Sequence, residues 1–180
     1  MTTDERLSFA NHLGDKSYVE GHWQIVVENA CRLLEEYEGI EFGLNCVRRV
    51  LDSWTLFVPD DDRVRNALTA VENWLKGEKN VELLKHVSLA ASDAAVDVDD
   101  PEEVPKNKER TRAFHAASAA SSLADAARSA CEPVEKRALG PEAVAMSLGY
   151  AASFSISAST NTSEDYEWQL RMLRRYLTRT

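Results

Sequence analysis

Apolar residues recur three and four positions apart through almost the whole of this chain, and no stretch alternates with period two for long enough to make a strand. That periodicity confines the fold to packed helices. Val19, Trp23, Val26, Ala30, Leu33 and Tyr37 make a first stripe. Gly39 reads as its stop and Gly43 as the opening of the next helix, in which Leu44, Val47, Leu51, Trp54 and Val58 form a second stripe closed by Pro59. Asp60, Asp61 and Asp62 stand at the start of a third helix, where carboxylates accept from free backbone N–H groups and complement the dipole. Its stripe is Val64, Ala67, Leu68, Val71, Trp74 and Leu75, ended by Gly77. Asn80 caps a fourth helix with Val81, Leu84, Val87, Ala91, Ala94 and Val98 on one face.

Two blocks of small residues follow. Between Ala113 and Cys131 the chain has nine alanines and four serines, and a second block runs from Pro141 through Met146, Tyr150, Phe154 and Ile156. Ala145, Gly149 and Ser153, four apart, give that second helix a thin face along which a neighbouring backbone can approach. Ala-Ala-Ser recurs at 90–92, 116–118, 119–121 and 151–153, but at irregular separations, so it is shared composition and not a repeat. Thr162 with Asp165 three positions on opens a last helix with Tyr166, Leu170, Leu173 and Leu177 as its stripe. The expected fold is all-α: a single-domain bundle over residues 1–180 of about seven helices, with the Ala/Ser-rich ones central and the Trp-bearing ones around them. Residues 1–16 read as a poorly ordered lead-in, and 97–108, with Pro101 and Pro105, as an exposed acidic loop.

A chain of 180 residues buries enough surface to fold without a metal or disulfide staple. Its three cysteines, Cys31, Cys46 and Cys131, form no C-x-x-C and read as reduced thiols of a cytoplasmic protein. Residues 143–163 lack charge but are interrupted by serines, so they read as a buried helix and not a membrane span, and the acidic N-terminus is no signal peptide. With 21 Lys and Arg against 30 Asp and Glu the formal charge is −9, which disfavours nucleic-acid binding and suits a basic protein partner.

The residues offer little chemistry. Glu82 and His86 are four apart, a spacing shared by a proton or metal pair and by an ordinary surface pair. His115 beside Phe114 has the position of a tunable base but no nucleophile motif near it. Asp97, Asp99 and Glu102 imitate a calcium loop, yet Glu102 stands where that loop needs glycine. Phosphate-loop, dinucleotide, zinc-protease and nucleophile-elbow motifs are missing from the sequence. The expectation is a protein that is not an enzyme, with no catalytic or metal-binding residues and no cofactor. Trp23, Trp54 and Trp74 fall on apolar stripes, whereas Trp168 lies off its stripe near Arg171, Arg174 and Arg175, the position of a surface anchor.

The run Val50-Leu51-Asp52-Ser53-Trp54, then Pro59-Asp60-Asp61-Asp62-Arg63, Ala67 and Asn73-Trp74-Leu75-Lys76-Gly77-Glu78, resembles the helical immunity proteins of bacterial polymorphic toxin systems, the group called immunity protein family five. The Ala-rich helices at 89–95, 114–127 and 143–157 and the C-terminal Trp168-Gln169-Leu170 are also similar, so the resemblance spans roughly residues 45–180. It implies a small cytoplasmic protein that binds and neutralises a cognate toxin by occlusion, and it supplies no catalytic residues. Antibacterial toxins that attack nucleic acids carry basic clefts, which an acidic inhibitor can fill. The candidate contacting residues are therefore Asp97, Asp99, Asp100, Glu102 and Glu103, then Asp60, Asp61 and Asp62, with Trp168 as an anchor. The same acids also read as solvated turns and caps, and a helical adaptor or scaffold of another bacterial system is the alternative function. The oligomeric state is left open.

Overall fold

The computed structural model describes residues 3–13, 22–99, 107–137 and 140–179. Among them are nine α-helices and no strand: α1 (Thr3–His12), α2 (Trp23–Cys31), α3 (Glu36–Arg48), α4 (Leu51–Phe57), α5 (Arg63–Leu75), α6 (Val81–Val98), α7 (Lys108–Ala130), α8 (Ala143–Ala158) and α9 (Thr162–Leu177). Two 3₁₀ turns, Val134–Lys136 and Gly140–Glu142, join α7 to α8. No described helix is long and apolar enough to cross a membrane.

The count exceeds the expected seven for two reasons. α1 occupies most of the stretch read as a lead-in, with Ala10 and Leu13 buried. The first two stripes are also cut differently. A new helix starts at Glu36, where the Glu38 carboxylate accepts from the Glu35 N–H at 3.1 Å, and a turn at Arg49 and Val50 separates α3 from α4.

Gly39 and Gly43 neither stop nor open a helix; both lie inside α3. A Cβ on Gly39 would stand 2.8 Å from Leu148, and one on Gly43 2.8 Å from Leu148 and 2.9 Å from Leu123. The glycines therefore exist for the approach of α8 and α7, which outweighs their cost of about 1 kcal/mol each in a helix.

Two of the expected helix boundaries are present as read. Asn80 accepts from the Leu83 N–H at 3.0 Å, and Gly77 ends α5 at φ 99°. The cap of α9 is Asn161, one residue before the expected Thr162; its Oδ1 accepts from the Glu164 N–H at 3.3 Å.

α7 is the hub, packed on α3, α4, α5, α6 and α8, while α8 packs in turn on α2, α3 and α9. Ala113, Ala116, Ala117, Ala119, Ala120, Ala124, Ala126 and Ala127 are fully buried. Each alanine adds little apolar area, but short side chains bring backbones close, and the many resulting dispersion contacts make up the difference. Trp23, Trp54 and Trp74 point inward from surrounding helices, and all three are buried.

Candidate partner-binding surface

Arg63, the first residue of α5, joins two acidic segments far apart in sequence. Its guanidinium meets the Asp61 carboxylate at 2.6 Å and the Asp97 carboxylate, at the end of α6, at 2.7 Å. Asp61 is further held by the Arg63 backbone N–H at 2.9 Å, and its carbonyl accepts from Trp54 Nε1–H at 3.0 Å. The hydrogen bonds from the Arg63 side chain hold the Asp61 carboxyl below the usual carboxylate range, and they raise Arg63 in return. Asp60 and Asp62 are exposed beside them, and Asp62 pairs with Arg65.

Asp97 belongs to the last helical turn of α6, not to the expected loop, because helical periodicity runs through Val98; Asp99 is the C-cap residue. No basic residue occupies that turn. Carboxylates at a helix C-terminus oppose the macrodipole by roughly 0.3–1 kcal/mol each, so this end carries a charge pattern that helix stability alone would not select. Arg63 offsets part of it. Asp100, Glu102 and Glu103 lie outside the described residues.

Trp168 is not part of this grouping. It sits half-buried on α9, which packs on α1, α2, α3 and α8, whereas α6 packs on α5 and α7. The Arg49 guanidinium lies 4.6 Å above the Trp168 ring and is fixed there by Asp165 at 2.5 Å, which also accepts from the Ser159 hydroxyl. One face of the indole is thus covered by the chain's own cation.

Large apolar side chains absent from the expected site stand out in solvent: Leu56 is 84% exposed, Val96 67% and Leu89 58%. Leu56 is one turn before Asp60 on α4, and Val96 adjoins Asp97. Periodicity selects residues that share a buried stripe, so these three carried no signal in it; their mark was apolar identity on the opposite face.

The remaining candidates are separate. His115 is half-buried between Phe114 and Phe154, with ring centroids 5.2 and 5.8 Å away, and Tyr150 stacks on Phe154 at 6.1 Å. Glu82 and His86 are both exposed. Burial pushes the Cys31 thiol up to about 12 and the Cys46 thiol well above its ordinary value, which keeps both protonated. Among the described residues no three of His, Cys, Asp and Glu gather into a group that could hold a metal ion.

Residues 33–130, just over half of the chain, match the family described as Imm-5 like putative immunity protein. The chain belongs to that family. No curated protein and no solved structure matches it. The Imm-5 like match runs from the turn before α3 to the end of α7, so it takes in Asp60 to Arg63 and all of α6. α8, α9 and Trp168 lie beyond it, although the sequence resemblance extends to them.

Proposed function

We propose that this protein binds a cognate antibacterial toxin and neutralises it by occlusion, in the cytoplasm of the cell that makes both. Membership of an immunity-protein family is the observation that carries the reading. The partner it fits best is basic and nuclease-like. Long-range attraction between a chain of formal charge −9 and a basic cleft raises the association rate, and a few desolvated pairs supply lifetime. The acids around Arg63 support that reading, since two segments of the chain converge there within the family-matched region. Occlusion is stoichiometric and needs no catalytic group, cofactor or metal from this chain.

The test is co-expression with the product of the gene immediately upstream, scoring growth and co-purification. Rescue with a stable stoichiometric complex is expected. A harmless product, or a toxic one that the protein neither binds nor blocks, would overturn the reading in favour of a helical adaptor. Replacing Asp97 and Asp99 by Lys should slow association at low salt and leave the helical fold intact; an unchanged rate would remove this surface from recognition.

A further inference from the structure

The side of α6 turned away from α5 and α7 carries Leu89 and Val96, seven residues and therefore about 10 Å apart along one face. Both are more than half exposed, while Leu84, Val87, Ala91 and Ala94 of the same helix are buried. The outward face thus has an apolar stripe of its own. Its charge is mixed at the N-terminal end and acidic toward the C-terminal end: Lys85 is exposed one turn before Leu89, whereas from His86 to Asp99 the sequence has no Lys or Arg, with Asp93 exposed along the face and Asp97 exposed at its edge toward α5. Asp97 is held in place by Arg63 at 2.7 Å.

We infer that this face of α6 is the docking site for a basic amphipathic helix of the protein partner, which lays its apolar side across Leu89 and Val96 and its Lys or Arg side chains toward Asp93 and Asp97. The inference rests on the toxin-binding reading for the partner's identity, but its chemistry stands on α6 alone. Two anchors two turns apart on one helix face match a second helix lying alongside at the usual 8–10 Å, read by residues spaced i and i+7. Complementary charge selects this occupant over a second copy of the chain. A two-fold antiparallel pairing that set Leu89 on Val96 would bring the two Asp93 side chains to the same level, between molecules of formal charge −9 each. Anchors that become desolvated within a charged rim are where binding energy concentrates.

The probe is a labelled synthetic peptide of two Leu-Lys-Lys-Leu-Leu-Lys-Leu heptads, titrated into the full chain, with a companion peptide in which every Leu is Ser. The first peptide should bind and shift the methyl resonances of Leu89 and Val96, and the companion should bind at least about tenfold more weakly. The double variant Leu89→Ser, Val96→Ser should lose about tenfold or more in affinity with unchanged helicity and denaturation midpoint. Leu83→Ser, on the flank of α6, should bind as the parent does. No binding, equal binding by the double variant, shifts confined to another helix, or a dimer that the double variant abolishes would each overturn the inference. The co-expression assay separates the two readings. A parent that rescues while the double variant rescues equally well removes the α6 face and keeps the immunity function. A parent that fails to rescue removes the immunity function, and the peptide titration then decides the face by itself.

Discussion

The seam between α3 and the α7–α8 pair and the seam that fastens α9 to α2 and α8 are joined by opposite means. Along the first, contact depends on side chains that are missing: Leu148, fully buried, fits against Gly39 and Gly43, and alanines line α7. Along the second it depends on polar groups inside the protein. Gln169 accepts from Trp23 Nε1–H at 2.7 Å and donates to the Ser155 hydroxyl at 2.8 Å and the Ala152 carbonyl at 3.2 Å, while Asp165 binds Arg49 and Ser159. A steric seam should fail when volume changes in either direction. A polar seam should tolerate changes of shape and fail when a partner is left unsatisfied.

The largest expected effect is at the steric seam. Leu148→Ala should cost about 3 kcal/mol in urea unfolding, from lost burial plus a cavity. Gly43→Val should cost about 2 kcal/mol by overpacking, and in the Leu148→Ala background its effect should shrink or change sign, because the new methyls fill the space vacated. Additive effects would mean that the two residues do not share that space. At the polar seam, Gln169→Leu keeps volume but orphans the Trp23 N–H, and a loss of about 2 kcal/mol is expected; a neutral result would erase the distinction between the seams. Asp165→Asn should cost about 1 kcal/mol and release the Arg49 guanidinium from Trp168, seen as altered indole fluorescence. The smallest stability effect belongs to neither seam. Arg63→Ala, on the surface, should stay under about 1 kcal/mol by thermal unfolding.

Thiol labelling sharpens the comparison from the kinetic side. Cys31 and Cys46 stay protonated at pH 8 because burial raises both thiols, Cys31 to about 12. Half-exposed Cys131 should therefore react first, and Cys31 and Cys46 only when the fold opens. Leu148→Ala should accelerate that slow phase more than Asp165→Asn does, since α2 and α3, which bear the two cysteines, both pack on α8.

How much of this was legible beforehand follows from what a periodic pattern can carry. The class, the Asn80 cap, the Gly77 stop and the central place of the Ala-rich helices are local or compositional facts, and they read directly. The roles of Gly39 and Gly43 are not local. A glycine that ends a helix and one that admits a leucine from more than 100 positions away look the same in one sequence. The acids of the 60–62 turn and of α6 were each visible, but that Arg63 unites them is a tertiary fact. Trp168 lies off its stripe and is half-buried, but its cover, Arg49, stands on another segment altogether, which no local pattern carries.

α6 obeys two independent sets of requirements. Leu84, Val87, Ala91 and Ala94 answer to the fold, while Leu89, Asp93 and Val96 on the other side are exposed. A substitution on the outer side changes what the helix displays without charging the interior for it. Lineages that carry this scaffold can therefore drift in what they recognise by single exposed replacements, with the bundle itself left as constant background.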